Sequence, residues 1–338
     1  MMHISMIAAL ALAAGPPPAI DGGPLVRALW LVQRCGTAEA ADPVNDRRVK
    51  AALFKALGKD GMLTMSELDG FMEPRTFKKL AGSDGRISRD EIRQAVETAV
   101  PESRSRLLPE VRRHADFLTT SYDMIEGTHR LASRELVDWI AKNHRPGHRL
   151  HVVVVCTGNS RRSILGATMG NIAAAYYGMP EVRFHSGGTA PTAFNPRTVD
   201  TLKEIGVEVE PTGKEAARGE PSTANPVYRV RWGSPGETGE PSLEATEFSK
   251  HYDDSANPRQ GFAALMVCGE ADAACPFVKG AAVRISMPYL DPKIYDGGAY
   301  EAAKYAERRD DMGRLMLSVM MQARQRIAPV DIGPERTH

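Results

Sequence analysis

Cys156, Arg162 and Ser163 stand together in "CTGNSRRS", directly after the four valines of residues 152–155. A cysteine thiolate is a strong nucleophile, an arginine fork grips two oxygens of an oxyanion at once, and a serine hydroxyl can hydrogen-bond the sulfur. Together they suit chemistry on a tetrahedral anion. Between the cysteine and the arginine lie Thr157, Gly158, Asn159, Ser160 and Arg161, mostly small and polar residues of the kind that form tight turns.

For these groups to converge, the flanking segments must be regular. Four consecutive valines suit a strand buried on both faces, as in parallel sheets, and "SILGATMGNIAAAYYG" at 163–178 has helical spacing. A strand, a short loop and a helix therefore meet at 156–163, which aims backbone N–H groups and the positive end of a helix dipole into one concavity. That environment stabilises a negatively charged sulfur and a bound oxyanion alike. Cys156 is the expected nucleophile and Arg162 the expected anion grip. Thr157, Gly158, Asn159, Ser160, Arg161 and Ser163 are the other expected oxyanion ligands.

C-x5-R-S after an apolar strand resembles the low-molecular-weight protein tyrosine phosphatases and the thioredoxin-coupled arsenate reductases that share their fold. The resemblance runs from about 149 to 327. "RFHSGGTAP" looks like the family's second strand and its turn, with Ser186 matching the serine that supports the anion loop through Asn159. "YLDPKIYDGG" supplies Asp291-Pro292, similar to the family's mobile loop, whose aspartate protonates the leaving group. "CGEADAACP" resembles the redox segment of the reductases, with Cys268 and Cys275 spaced C-x6-C. The chain departs from the family at Arg161, where a second cysteine is frequent, at Ala167, where an acidic residue is usual, and at Leu290, where many reductases carry another aspartate.

The resemblance implies an α/β three-layer sandwich with a short, mostly parallel sheet and a P-loop-like anion site, preceded by a small helical region. It implies a relay in which Cys156 attacks arsenate, Asp291 assists departure of hydroxide, Cys268 resolves, and Cys275 passes the disulfide to an external dithiol such as thioredoxin. Arsenate reduction is the first expectation. The alternative is hydrolysis of phosphomonoesters such as phosphotyrosine through a cysteinyl-phosphate, with Cys268 as redox protection of Cys156. A third, from another class, is a calcium-responsive binding protein.

The rest of the chain bounds these expectations. At 338 residues, 42% hydrophobic and 25% charged, it has an ordinary globular composition. Forty-three Lys and Arg against 42 Asp and Glu leave a net charge of +1, so no nucleic-acid partner is expected. Four cysteines and nine histidines show no metal-ligand spacing, and no bound cofactor is expected. No run reaches the roughly 18 apolar residues of a membrane span.

Residues 1–48 fit a short leader with Ala11-Leu12-Ala13 as its cleavage site, although no Lys or Arg precedes it, followed by a Pro/Gly-rich tether. A leader would export the chain to the periplasm or beyond; without one it stays cytoplasmic. Residues 49–98 hold a near-repeat, "ALGKDGMLTMSE" and "LAGSDGRISRDE", matching the back half of two calcium-binding EF-hand loops. Asp60, Glu67, Asp84 and Glu91 are the calcium candidates. The first and third ligand positions hold Ala56 and Gly58 in one copy and Leu80 and Gly82 in the other, so a turn kept without its ion is expected. Residues 99–147 are expected as a helical connector and 148–330 as the catalytic domain. An insertion-like stretch at 211–260, with Tyr228, Trp232, Phe248 and Tyr252, is expected to be an anchored long loop.

Overall fold

The structure, a computed structural model, describes residues 62–64, 81, 84–88, 102–119, 121–145, 147–237 and 239–327. The chain divides into two units. One takes in Met1–Pro101, Thr119–Asp123 and Arg324–His338. Its described residues include β1 (Met62–Leu63) and β2 (Ile87–Ser88), paired antiparallel with Leu63 opposite Ile87. Those are the eighth positions of the two near-repeats. Gly85 sits at φ +69, a left-handed conformation that glycine adopts without strain, and Asp84 Oδ1 accepts the Arg86 amide at 2.9 Å. Asp60, Glu67 and Glu91 lie outside the described residues, as do Cys35 and the leader.

The second unit, Glu102–Leu118 with Met124–Ala323, is α/β. In chain order it carries α1 (Glu102–Ser105), α2 (Pro109–Leu118), α3 (Gly127–Asn143), β3 (Leu150–Cys156), α4 (Arg162–Tyr176) and β4 (Val182–Gly188). There follow α5 (Pro196–Lys203), β5 (Glu208–Glu215), β6 (Pro226–Gly233), β7 (Leu243–Glu247), β8 (Phe262–Met266), α6 (Gly269–Ala274) and β9 (Ala281–Ser286). A 3-10 turn at Pro292–Tyr295 leads to α7 (Glu301–Ile327). The main sheet has the order β4-β3-β8-β9 with every pair parallel. Its central strand β3 is the valine run, and Val152 to Val155 are fully buried.

Every residue of α4 is buried, which its composition permits: small residues let neighbours approach closely, and no charged side chain follows its first turn. A Cβ on Gly170 would lie 2.5 Å from the Phe184 ring of β4, so only glycine fits there. The helix ends on carbonyls that need donors. Arg104 Nε donates to Tyr176 O and Ser103 Oγ to Ala175 O, each at 2.6 Å, and the Arg104 charge sits favourably at the negative end of the dipole. The opposite end of α4 meets Cys156.

The stretch expected to be a long loop is instead a second sheet, antiparallel in the order β5-β6-β7. Alternation in "VYRVRWG" explains it: Val230 and Trp232 turn to a buried face, while Arg229 and Arg231 pair across the strands with Glu210 and Glu208. Trp232 is core, and Tyr228 packs edge-on to Phe194 at 5.0 Å.

In the main sheet, His151 Nδ1 lies 2.9 Å from His185 Nε2. Burial, then the charges of His151 and Lys250, push His185 down to about 3; burial, then Arg149 and Arg183, lowers His151 as well. Both rings stay neutral in the fold where the unfolded chain would already protonate. Stability is therefore full above about pH 6.5 and is lost as pH falls from there toward 3. The thermal midpoint should decline through that window, and His185→Gln should flatten the decline. A midpoint level between pH 6.5 and 4 contradicts this account.

Candidate active site

The loop between β3 and α4 is five residues long, and the carbonyls of Cys156, Thr157, Gly158 and Ser160 are taken up by donors behind it. Cys156 O accepts from Thr189 N, Thr157 O from Ala190 N, and Ser160 O from Asn195 N and Thr198 Oγ1, at 2.9–3.2 Å. Gly158 O accepts from Thr192 N and Ser249 Oγ, both at 3.0 Å. In a trans peptide the next N–H points opposite to the carbonyl. The amides of Thr157, Gly158, Asn159 and Arg161 therefore face away from these acceptors, toward the cleft.

Asn159 makes the turn possible. It is the one non-glycine at positive φ among the described residues, at 41°, a region asparagine tolerates better than most. Its Oδ1 accepts the Lys250 amide at 2.8 Å, which fixes the orientation of the carboxamide, and its Nδ2 donates to Ser163 Oγ at 2.8 Å. Ser163 Oγ lies 3.1 Å from Cys156 Sγ. Since the hydroxyl already accepts from Asn159, its own hydrogen is left for the sulfur. A Cβ on Gly188 would come within 2.6 Å of Thr157 O and 2.9 Å of Asn159 N, so the neighbouring strand must carry glycine where the loop crosses it.

Arg162 opens α4 and is 8% exposed. Its Nη1 donates to Tyr289 O at 2.9 Å and its Nη2 to Asp291 Oδ2 at 2.6 Å. Asp291 in turn caps the 3-10 turn, its Oδ1 accepting from Lys293 N at 3.0 Å. Cys156, Arg162 and Asp291 thus line one cleft of about 1500 Å³, whose rim includes Pro191, Leu290 and Ile294. The cleft opens beyond the carboxyl end of β3, where ligands of open parallel sheets bind.

The side chains of Arg161 and Ser186 face other partners, and for Ser186 this changes the expected role. Arg161 turns its guanidinium away from the anion loop, with Nε donating to Tyr305 Oη at 2.6 Å and Nη2 to Asp296 Oδ2 at 3.1 Å. Ser186 does not reach Asn159: its hydroxyl donates to Glu247 Oε2 at 2.7 Å, beside Lys250 Nζ at 3.4 Å. Lys250 and Glu247 form a buried ion pair at 3.1 Å behind the loop. Asn159 is instead served by the Lys250 backbone. That contact, with those of Ser249 and Thr192, has no local signal in sequence, because the partners are separated by up to 91 residues.

Cys268 follows β8, the strand beside β3, and is fully buried. Its Sγ accepts from Ala271 N and lies 3.3 Å from Thr157 Oγ1, which itself donates to Glu270 Oε2 at 3.2 Å. Cys275 closes the other end of α6 and is partly exposed. All three thiols are free. Among the described residues no three His, Cys, Asp or Glu side chains group as a metal site, and no helix is long and apolar enough to cross a membrane. No protein-family model matches the chain, and no curated protein matches it.

A hydrogen bond to a charged partner is worth about 1.5–3 kcal/mol, or roughly tenfold and more in the thiolate population. In a protein lacking Cys268 and Cys275, Ser163→Ala should slow alkylation of Cys156 by iodoacetamide at neutral pH by about that factor. An unchanged rate removes Ser163 from the activation of the sulfur.

Proposed function

We propose that this protein is a cysteine-thiolate enzyme acting on tetrahedral oxyanions, of the low-molecular-weight phosphatase and arsenate reductase class, and that arsenate is its substrate. What supports the general statement is the convergence of Cys156, Ser163, Arg162 and Asp291 on a strand–loop–helix junction at the carboxyl end of a parallel sheet. The observation that favours reduction is the position of Cys268, buried at the end of the adjacent strand with its sulfur against Thr157, the neighbour of Cys156.

In the proposed sequence the Cys156 thiolate attacks arsenic(V), and a hydroxyl group leaves as water with a proton from Asp291. Cys268 then attacks Cys156 Sγ. The new S–S bond forms as the S–As bond breaks, and the bonding pair stays on arsenic, which departs as arsenite. Cys275 attacks Cys268, freeing Cys156, and an external dithiol reduces the 268–275 bridge. The last exchange requires α6 to unwind: seven residues of helical rise separate its caps by about 10 Å, whereas disulfide-linked Cα atoms lie roughly 4.4–6.8 Å apart. A single six-residue helix has little cooperative stability to resist that.

Hydrolysis of phosphomonoesters is the second reading, favoured by the cleft. Its volume of about 1500 Å³ and its rim of Pro191, Leu290 and Ile294 could accommodate an organic group beyond the oxyanion. In that case water attacks a cysteinyl-phosphate and Cys268 protects the nucleophile from oxidation.

The test is thioredoxin-coupled, arsenate-dependent NADPH consumption by the reduced protein, beside hydrolysis of an aryl phosphate by the same preparation. Cys275→Ser should abolish steady arsenate-dependent consumption while still releasing one arsenite per protein, and Cys156→Ser should abolish both activities. Ester hydrolysis without arsenate turnover, indifferent to Cys275→Ser, selects the phosphatase. Activity surviving Cys156→Ser sinks both readings.

A further inference from the structure

Two successive arginines grip two aspartates five residues apart: Arg162 holds Asp291 at 2.6 Å, and Arg161 holds Asp296 at 3.1 Å. The aspartates flank the 3-10 turn at Pro292–Tyr295. We propose that Arg161, Asp296 and Tyr305 form a clasp that keeps the Asp291 segment over the anion loop when an oxyanion takes Arg162, so that the acid stays within reach of the departing oxygen. The proposal rests on Cys156 and Asp291 acting as nucleophile and acid, and it holds for arsenate and phosphate esters alike.

The geometry leads there in three steps. An oxyanion on the Arg162 fork competes with Asp291 for Nη2, the one nitrogen that holds the acid, so the resting grip weakens whenever the site is filled. The second grip is insulated from that competition. Arg161 points away from the anion loop, and Tyr305 Oη closes the triangle by accepting from Arg161 Nε and donating to Asp296 Oδ1 at 2.8 Å. Burial pushes the Tyr305 hydroxyl up to about 12, so it stays a donor across the working pH range. Arg197 adds a longer contact to the same carboxylate, its Nε 3.8 Å from Asp296, and is itself paired with Glu301 at 2.7 Å. Two positive and two negative groups balance within the cluster, so an arriving anion gives Asp296 no partner to leave for.

Tether length completes the case. A four-residue 3-10 turn spans roughly 8 Å, so with Asp296 fixed Asp291 can pivot but cannot swing into solvent. Arg161 and Asp296 are then positioning residues, acting through Asp291 and touching no substrate.

Amide hydrogen exchange over residues 289–298 of the full-length Cys156→Ser protein, with and without saturating inorganic phosphate, tests the clasp. Protection should be the same in both conditions. In Cys156→Ser/Asp296→Asn it should be retained without phosphate, held by Arg162, and drop about tenfold or more when phosphate is added. Opening on phosphate in the first protein, or no effect of Asp296→Asn, overturns the clasp. Absence of phosphate binding by calorimetry removes the oxyanion reading itself, and the clasp with it. Turnover supplies the readout a merely structural residue would not move. Asp296→Asn should lower kcat on phenyl phosphate, whose phenol has a pKa of about 10 and needs the acid, by about tenfold, and on 4-nitrophenyl phosphate by less than about threefold. It should add little to Asp291→Asn. Equal losses on both esters, or full additivity, overturn the proposal.

Discussion

A loop that turns its amides to one side must have its carbonyls satisfied on the other, and much of this unit is arranged around that requirement. An unpaired buried carbonyl costs on the order of 1–3 kcal/mol, and four lie within five residues. The chain answers with donors from the turn after β4 and from Thr192, Asn195, Thr198 and Ser249. The antiparallel sheet enters through this requirement. It delivers Ser249 and Lys250 from the end of β7 to the back of the loop, and Asn225 fixes Ser249 by bonding both its N and its O. The stretch 211–260 is thus part of the scaffold of the site.

The same economy governs α4. Its N-terminus faces the cleft, and its other end is held in place. Arg104 and Ser103 hold it by closing the Tyr176 and Ala175 carbonyls, and the Arg104 guanidinium stacks 3.8 Å from the Tyr176 ring. A helix buried on every side gains little from propensity and much from close packing, which is why Gly166 and Gly170 meet Val154 and Phe184 without side chains of their own.

What could be seen in sequence was whatever the chain keeps local. Cys156, Arg162 and Ser163 fall within eight residues, and the strand and helix that flank them carry their own periodicities, so the junction was legible. Asp291 was read from its likeness to the family's Asp-Pro loop, since an aspartate before a proline is by itself only a common turn former, and the structure sets it against Arg162. Arg161 turns its amide, and not its guanidinium, to the cleft: adjacent to Arg162 in sequence, its side chain points elsewhere because α4 begins between them and successive helical positions face different directions. Ser186 was misassigned because its partner, Glu247, lies 61 residues away in a sheet read as a loop. The period-two alternation of "VYRVRWG" was the available signal, and the proline- and glycine-rich flanks at 211–226 and 233–241 obscured it.

The two candidate chemistries share every residue up to the covalent adduct and part at the element bound to sulfur. When Cys268 attacks Cys156, the electrons of the broken bond must remain on the departing atom. Arsenic(V) accepts them readily and becomes arsenic(III), whereas phosphorus(V) does not under aqueous conditions, so a cysteinyl-phosphate must await water. The buried sulfur of Cys268 is then productive against one substrate and silent against the other, with no change in geometry. A site of this kind need not exclude phosphate to be a reductase. On the proposed chemistry phosphate would occupy the loop and be hydrolysed from esters, and only arsenate would draw on the sulfur of the next strand. On that proposal, selectivity for the redox outcome would lie in the substrate's own electronics; what the structure shows is Cys268 buried and capped by the Ala271 amide.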